Sequence, residues 1–279
     1  MLLGDFDGTC VTGAREWAML AAMSGILEGR LALISGCGAG IGEASARLFA
    51  DNGAILWLND LDPVALDRLV EELVAKGVDA AGIAGDMSDS GFVDAWVNAA
   101  IDAHGRIDVL YNNVGVSRSG LIGDLSDADW RFQQSVTLDS VFFATRAVLP
   151  HMVANGGGSI VSMSSGAGIG GNYNLGGYAA AKAGVINLME TVAMEYGGHG
   201  IRANAVTPGP TATAPLLDYL ASQPGGVDAH VADLDLKRLS QPEEVAQTVL
   251  WLASDLSSNV TGICVRSNIR AASRRPHGS

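Results

Sequence analysis

A tyrosine and a lysine with helical spacing are the residues of this chain best suited to proton transfer. Tyr178 and Lys182 begin and end the pentapeptide YAAAK. Residues four apart on a helix lie on one face, so the Lys182 ammonium would lower the pKa of the tyrosine hydroxyl from its usual value of about 10. The pentapeptide alone leaves two interpretations open, a catalytic acid/base or an ordinary helical contact.

A glycine-rich turn indicates a second chemical function, the binding of a dinucleotide. The segment SGCGAGIG (35–42) follows the apolar run LALIS (31–35) and opens a helical pattern over 41–53. In such a strand-to-helix turn, Gly36, Gly40 and Gly42 permit the tight bend, the approach of a pyrophosphate and the close packing of helix on strand. The positive end of the helix dipole favours the phosphates.

Asp60 bears on which dinucleotide is bound. It ends the second predicted strand, 24 residues after Gly36. A carboxylate at this position accepts hydrogen bonds from the ribose hydroxyls of the adenosine and repels a 2′-phosphate. No Lys or Arg lies within 35–42 to attract that phosphate. The sequence therefore favours NAD over NADP.

The elements that must position these residues alternate regularly along the chain. Strands are predicted over 31–35, 54–60, 79–86, 107–113, 158–165 and 201–209, and helices over 41–53, 63–76, 88–104, 130–154, 176–196 and 242–254. Such alternation predicts an α/β fold, a single doubly wound parallel sheet with helices on both faces. Residues 210–240 form the longest irregular stretch and are a candidate lid.

Composition excludes several classes of function. The chain has 279 residues, 48% of them hydrophobic, which is enough for one large core. Its net charge of −13 argues against nucleic-acid binding. Its three cysteines and five histidines show no metal-ligand spacing, so we expect no metal site and a reducing, cytoplasmic location. No apolar run approaches a membrane span, and the N-terminus does not resemble a signal peptide.

Taken in order, these motifs resemble those of the short-chain dehydrogenase/reductase family over about 24–265. The glycine-rich turn has Ser35 where the family has Thr, and GDMSD (85–89) is similar to the segment that contacts adenine through Asp86. NNVG (112–115) resembles its Asn-Asn-Ala-Gly, MSSGAG (163–168) followed by YAAAK matches its Ser, Tyr and Lys, and TPGPTAT (207–213) is similar to its nicotinamide segment. PEEVAQTVLWLASDLSSNVTG (242–262) resembles its late helix and turn.

The resemblance implies a single Rossmann-type domain over 24–265, NAD as cofactor and hydride transfer on a small-molecule substrate. Tyr178 would be the general acid/base, Lys182 would lower its pKa and hold the nicotinamide ribose, and Ser165 would bond the reacting oxygen. The residues implied in cofactor binding are Ser35, Gly36, Cys37, Gly40, Ile41, Gly42, Asp60, Leu61, Asp86, Met87, Asn112, Asn113, Val114, Gly115, Tyr178, Lys182, Pro208, Gly209, Thr211 and Thr213.

The chain departs from the family pattern at three places. Thr137 occupies the position of an Asn that supports a water chain to the lysine, seven residues after Trp130, and Ser135 or Gln134 is a candidate to assist it. Residues 1–23 extend beyond the usual family start, and no role is assigned to them. Residues 266–279 replace the usual last-strand sequence with a basic tail expected to be disordered. The family implies a homotetramer or homodimer, which the altered end puts in question.

The substrate is less well defined than the reaction. Seven residues fall where the family has its pocket and lid, and they favour an apolar secondary alcohol or ketone, including cyclic ones: Leu121, Ile169, Tyr173, Leu175, Leu216, Leu217 and Tyr219. Two alternatives remain open. One is an NADPH-dependent reductase of ketones or 3-oxoacyl thioesters, and the other is a dinucleotide-binding protein without catalysis.

Overall fold

The computed structural model describes residues 25–232 and 234–268, and these contain seven strands and nine α-helices. The strands are β1 (Leu31–Ser35), β2 (Ile55–Asn59), β3 (Ala80–Gly82), β4 (Val109–Asn112), β5 (Gly158–Met163), β6 (Ile201–Pro208) and β7 (Cys264–Ser267). The helices are α1 (Gly40–Asp51), α2 (Pro63–Ala75), α3 (Ser90–His104), α4 (Asp127–Gln134), α5 (Ser140–Ala154), α6 (Gly176–Tyr196), α7 (Ala214–Ala221), α8 (Gly226–Val231) and α9 (Pro242–Ala253).

The strands form one parallel sheet in the order β3-β2-β1-β4-β5-β6-β7. The chain moves outward in one direction from β1 to β3 and then crosses back to β4, which pairs with the other side of β1. The connections that leave the carboxyl ends of β1 and β4 therefore run in opposite directions along the sheet, and such a switch point is where open α/β sheets bind ligands. This arrangement confirms the predicted fold class.

Helices cover both faces of the sheet, so most strands are buried on both sides. One apolar cluster contains Trp96 of α3 and Met189 of α6, and the cluster on the opposite face contains Phe49 of α1 and Leu69 of α2. Within the described residues, no helix is long and apolar enough to cross a membrane.

The third strand is shorter than the predicted 79–86. It ends at Gly82, because the buried side-chain amide of Asn59 donates hydrogen bonds to the carbonyl oxygens of Ile83 and Gly85 at 3.0 and 3.1 Å. These two residues leave the strand conformation to bond the end of β2. A side chain on the neighbouring strand therefore fixes the path of the segment that contains Asp86.

The long helix predicted over 130–154 begins earlier and is interrupted. Helix α4 starts at Asp127, where Ser126 caps it, and a π-helical turn over Ser135–Asp139 separates it from α5. A π turn inserts one extra residue and often marks a functional position. Thr137 lies in the middle of this turn.

Two further predictions differ from the structure at the C-terminal side. The stretch 210–240 is not wholly irregular, since it contains the short helices α7 and α8. Strand β7 includes Arg266 and Ser267, which were expected to belong to the tail. The proposed extension over 1–23 and the tail from 269 onwards lie outside the described residues.

Packing of α2 against the sheet can be tested by truncating one side chain. Leu69 is completely buried, so Leu69→Ala should lower the free energy of unfolding by about 2–5 kcal/mol through lost burial and a residual cavity. Val64 on the same helix is 76% exposed, and Val64→Ala should change that free energy by no more than about 0.5 kcal/mol. Urea denaturation followed by tryptophan fluorescence measures both, and similar losses would contradict the assigned faces of α2.

Candidate active site

Lys182 is a fully buried cation at the centre of the candidate site. It lies on the inner face of α6, is 2% exposed, and its Nζ donates to the Met163 carbonyl at 2.6 Å. Burial lowers the pKa of the ammonium to about 7, because the charged form loses its hydration. A Cβ built on Gly115 would lie 2.8 Å from Nζ, so any larger residue there would require the end of the Lys182 side chain to shift.

Tyr178 lies one helical turn before Lys182, and the lysine Nζ is 5.8 Å from the centre of its ring. Tyr178 is partly exposed as a whole residue. Burial of the hydroxyl raises its pKa above the usual value, and the nearby Ser165 side chain offsets only part of that rise. The structure therefore brings together the three residues named as catalytic. The structure does not bear out the expectation that Lys182 lowers the pKa of Tyr178, because that pKa is raised by burial and the Lys182 ammonium donates to the Met163 carbonyl.

The hydroxyl of Thr137 is bonded in both directions to the backbone of Val116. It accepts from the Val116 N–H and donates to the Val116 carbonyl, each at 3.2 Å, and the residue is completely buried. Its methyl group would lie 3.7 Å from a Cβ on Gly115, the residue against Lys182. Thr137 thus holds the segment after β4 beside the lysine, whatever part it has in proton relay.

The two glutamines at the end of α4 position the start of α6, and sequence reasoning did not assign them this role. Gln134 donates from Nε2 to the Gly177 carbonyl at 2.9 Å, directly before Tyr178. Gln133 is completely buried, accepts from the Arg118 N–H at 2.9 Å, and its amide fills the space beside Gly177. Gln134 was considered as a partner in proton relay, but in the structure its amide group holds backbone.

The glycine-rich turn is tied to β4 at the switch point. Asn113 donates from Nδ2 to the Gly36 carbonyl at 2.8 Å, and its own N–H donates to the Ser35 hydroxyl at 3.3 Å. Gly36 has φ +66°, which favours glycine. A Cβ on Gly42 would fall 2.0 Å from the Gly36 carbonyl oxygen, so the first turn of α1 packs directly on the loop.

Asp60 accepts two backbone hydrogen bonds at the end of β2. The Gly38 N–H donates to Oδ2 at 2.7 Å, and the Asp62 N–H donates to Oδ1 at 2.9 Å. These bonds place the carboxylate beside the glycine-rich turn, and each oxygen has a second lone pair with which it can accept a ribose hydroxyl. The position of Asp60 therefore fits the adenosine end of a dinucleotide.

The segment after β6 closes the other side of the turn. The Thr213 methyl group lies 3.0 Å from the position of a Cβ on Gly40, so these two segments are in contact. Gly209 follows Pro208 and donates its N–H to the Ser267 carbonyl at 2.7 Å. Thr211 is buried, and its hydroxyl donates to the Gly209 carbonyl at 3.1 Å. The segment is held rigidly beside the N-terminus of α1.

Three of the predicted cofactor residues, Cys37, Met87 and Asn112, have buried side chains engaged in the core, and two others, Leu61 and Asp86, are exposed. Cys37 is buried, its thiol donates to the Asn59 carbonyl, and burial raises its pKa to about 12. Met87 belongs to the apolar core, Asn112 bonds Ser162 and Thr145 within the core, Leu61 is 71% exposed and Asp86 accepts from Ser88. Backbone contacts from these five residues stay predictions, as do those of Ile41 and Val114.

No metal is suggested by the part of the chain that is described, where no group of three His, Cys, Asp or Glu side chains could hold one. A dinucleotide fits better. The glycine-rich turn leaves no room for a Cβ at Gly42, and the residues around it combine backbone N–H groups at a helix N-terminus with a carboxylate. These are the donor and acceptor groups that a pyrophosphate and a ribose require.

A family model described as enoyl-(acyl carrier protein) reductase matches residues 36–267. The chain is 40% identical over 243 residues to the 3-oxoacyl-[acyl-carrier-protein] reductase FabG of Thermotoga maritima, a match that covers 85% of this chain and 95% of FabG. It is 36% identical over 242 residues to a cyclohexanol dehydrogenase of an Acinetobacter species, covering 86% and 94% of the two chains.

Among solved structures, the crystal structure of gox2181 superimposes with a TM-score of 0.83 at 33% sequence identity. The match covers 86% of this chain and 95% of the other. Fold and sequence therefore agree over most of the chain, and the family model spans every described candidate residue of the site except Ser35.

Burial of Lys182 should make stability depend on pH. Its pKa of about 7 in the folded protein lies below the usual 10.5, so the unfolded chain binds more protons between these values. The free energy of unfolding of the wild type should therefore rise with pH from about 7 to about 10, relative to Lys182→Met, by up to roughly 1.4 kcal/mol per pH unit. Urea titrations of both proteins at several pH values measure this, and parallel pH profiles would contradict it.

Thr137 should matter through its hydroxyl. Thr137→Ser keeps both bonds to Val116, whereas Thr137→Val leaves the Val116 N–H and carbonyl without that partner. The valine variant should lose about 1–3 kcal/mol of unfolding free energy, and the serine variant less. Thermal unfolding with turnover assays measures both effects. Equal behaviour of the two variants would show that the hydroxyl does not hold this segment.

Proposed function

The chain belongs to the short-chain dehydrogenase/reductase family, and on this premise we propose that it is an NAD-dependent oxidoreductase acting on an apolar secondary alcohol or the corresponding ketone. The observation that carries this proposal is the buried Lys182 ammonium 5.8 Å from the centre of the Tyr178 ring, with Ser165 beside the tyrosine hydroxyl. A proton donor, a hydrogen-bonding partner and a cation lie within one helical turn and an adjacent loop.

Each side chain has a distinct part in the proposed reaction. When bound, the nicotinamide supplies or accepts the hydride. The Tyr178 hydroxyl gives a proton to the carbonyl oxygen in reduction, or takes it from the alcohol in oxidation. Ser165 donates to the same substrate oxygen and stabilises the charge that develops there. Lys182 holds the nicotinamide ribose and provides positive charge beneath the tyrosine.

We extend the proposal to NAD as the preferred cofactor. The carboxylate of Asp60 is fixed by backbone N–H groups, so it cannot easily turn away from a ligand at the glycine-rich turn. A fixed negative charge there favours ribose hydroxyls over a 2′-phosphate.

The proposed substrate is apolar because the loops that carry Leu121 and Tyr173, together with helix α7, expose large hydrophobic side chains. Leu121, Tyr173, Leu217 and Tyr219 are between 40% and 77% exposed. The loops that carry the first two meet through a bridge between Gly120 and Leu175. The name of the Acinetobacter relative supports a cyclic secondary alcohol.

A second candidate function is reduction of a 3-oxoacyl thioester, supported by the name of the Thermotoga relative. The same Tyr178 and Ser165 would serve it. It requires a groove long enough for an acyl carrier, so a panel of substrates separates the two candidates.

Self-association as a dimer or tetramer belongs to the same proposal. Phe142 on α5 and Met194 on α6 are 43% and 86% exposed, and apolar side chains of this size are commonly covered in oligomers. A cytoplasmic location is also proposed, because the described cysteines, Cys37 and Cys264, carry free thiols.

Tyr178→Phe tests the proposed chemistry. Removing the hydroxyl should lower kcat by at least about 10²-fold, since no proton can be transferred at that position, while NADH affinity is retained. The measurement is steady-state turnover across a panel of alcohols, ketones and 3-oxoacyl thioesters, with NADH binding followed by fluorescence.

Tyr196→Phe is the matched control, because it makes the same change at the other end of α6 and should leave turnover unchanged. Wild-type rates in Tyr178→Phe would show that another group is the acid/base. NADH binding without turnover of any panel member by the wild type would favour a dinucleotide-binding protein without catalysis.

A further inference from the structure

Arg68 brings a positive charge to the glycine-rich turn, although no Lys or Arg lies within that turn. It projects from α2, and its Nη2 donates to the Gly38 carbonyl at 3.1 Å. Its side chain is 51% exposed. A guanidinium is the side chain best suited to bind a phosphate.

Asp60 and Arg68 bond the same glycine. The Gly38 N–H donates to Asp60 and the Gly38 carbonyl accepts from Arg68. A Cβ on Gly38 would lie 2.9 Å from both the Asp60 carboxylate and the Ala65 methyl group, so the turn, β2 and α2 are in close contact. Arg68 therefore lies near the carboxylate that marks the adenosine ribose site.

Glu43 engages this guanidinium. Its Oε1 lies 2.7 Å from Arg68 Nη2 and 2.9 Å from Arg47 Nη2, and its side chain is only 18% exposed. Arg47 in turn bonds both carboxylate oxygens of Glu72, which also pairs with Lys76. Arg68 is thus directed toward Glu43, whereas Glu72 is bonded to the other arginine.

We propose that Glu43 is a cofactor-specificity residue, which acts with Asp60 by holding Arg68 in an ion pair and so withholding it from a 2′-phosphate. The turn then presents the Asp60 carboxylate without an available cation. NADP is excluded because Asp60 repels its 2′-phosphate and Arg68, paired with Glu43, does not bind that phosphate. The inference rests on the proposed function, since it requires a dinucleotide at this turn. It also implies a latent 2′-phosphate site that one substitution would expose.

The test compares Glu43→Gln with Glu72→Gln by fluorescence titration with NADH and NADPH. Both variants remove one negative charge from the same cluster, but only the first releases Arg68. Glu43→Gln should raise the ratio of NADPH affinity to NADH affinity by about tenfold, the effect of one new charge-assisted hydrogen bond. Glu72→Gln should change that ratio by less than about twofold. The ratio cancels any general gain in anion binding at the N-terminus of α1.

The double variant Glu43→Gln/Arg68→Gln identifies the group responsible. If Arg68 binds the phosphate, the double variant should return the ratio to within about twofold of the wild-type value. Equal shifts in Glu43→Gln and Glu72→Gln, or a shift that survives loss of Arg68, would overturn the inference. Thermal unfolding of each variant confirms that it is folded.

The outcomes separate this inference from the proposed function. If the wild type binds NADH and turns over substrate, but Glu43→Gln does not change the ratio of NADPH affinity to NADH affinity, the inference is wrong and the proposed function still holds. A wild type that already prefers NADPH also overturns the inference, while hydride transfer through Tyr178 can still hold. A wild type that binds neither nucleotide removes the proposed function and the inference with it.

Discussion

The parallel direction of all seven strands determines where chemistry can occur in this molecule. Each strand delivers its carboxyl end to the same edge of the sheet, so segments far apart in sequence become neighbours there. Ser35, Asp60, Asn113 and Ser165 all lie at or directly after such an end. The chain leaves β1 and β4 in opposite directions, which opens a crevice outside their carboxyl ends, and Asn113 bonds the Gly36 carbonyl there. The site is a consequence of strand order before it is a consequence of any one side chain.

Burial of Lys182 shows how function and stability oppose each other at this edge. Its ammonium has lost its hydration. The hydrogen bond that it donates to the Met163 carbonyl and the nearby ring of Tyr178 replace only part of that hydration. The lowered pKa is the same cost expressed as proton affinity. A smaller apolar side chain would avoid that cost but could not charge the space beneath the tyrosine hydroxyl. Glycine at 115 and the fixed backbone of Val116 make the space that this cation needs.

Sequence reasoning was most successful where local pattern determines structure. Short apolar runs predicted six of the seven strands, all but β7, and the alternation of strands with helices predicted the sheet and both covering layers. It was wrong where a side chain distant in sequence determines the backbone path. Strand β3 ends early because Asn59 donates hydrogen bonds to the carbonyls of Ile83 and Gly85. The π turn around Thr137 has no periodicity of its own, and the two short helices within 210–240 are too brief to show one. Gln134 could not be recognised as a positioning residue, because the carbonyl that it bonds lies on another helix.

The charge around the glycine-rich turn gives the same lesson for specificity. Counting charged residues within 35–42 finds no cation, yet pairing of β1 with β2 places α2 beside the turn and brings Arg68 to Gly38. The electrostatic character of the turn therefore depends on which carboxylate each arginine meets. Glu43 pairs with both Arg47 and Arg68, and Glu72 also pairs with Arg47. A linear motif predicts which backbone groups a phosphate can approach. The ion pairs of the folded chain determine which charged side chains are available to bind or repel that phosphate.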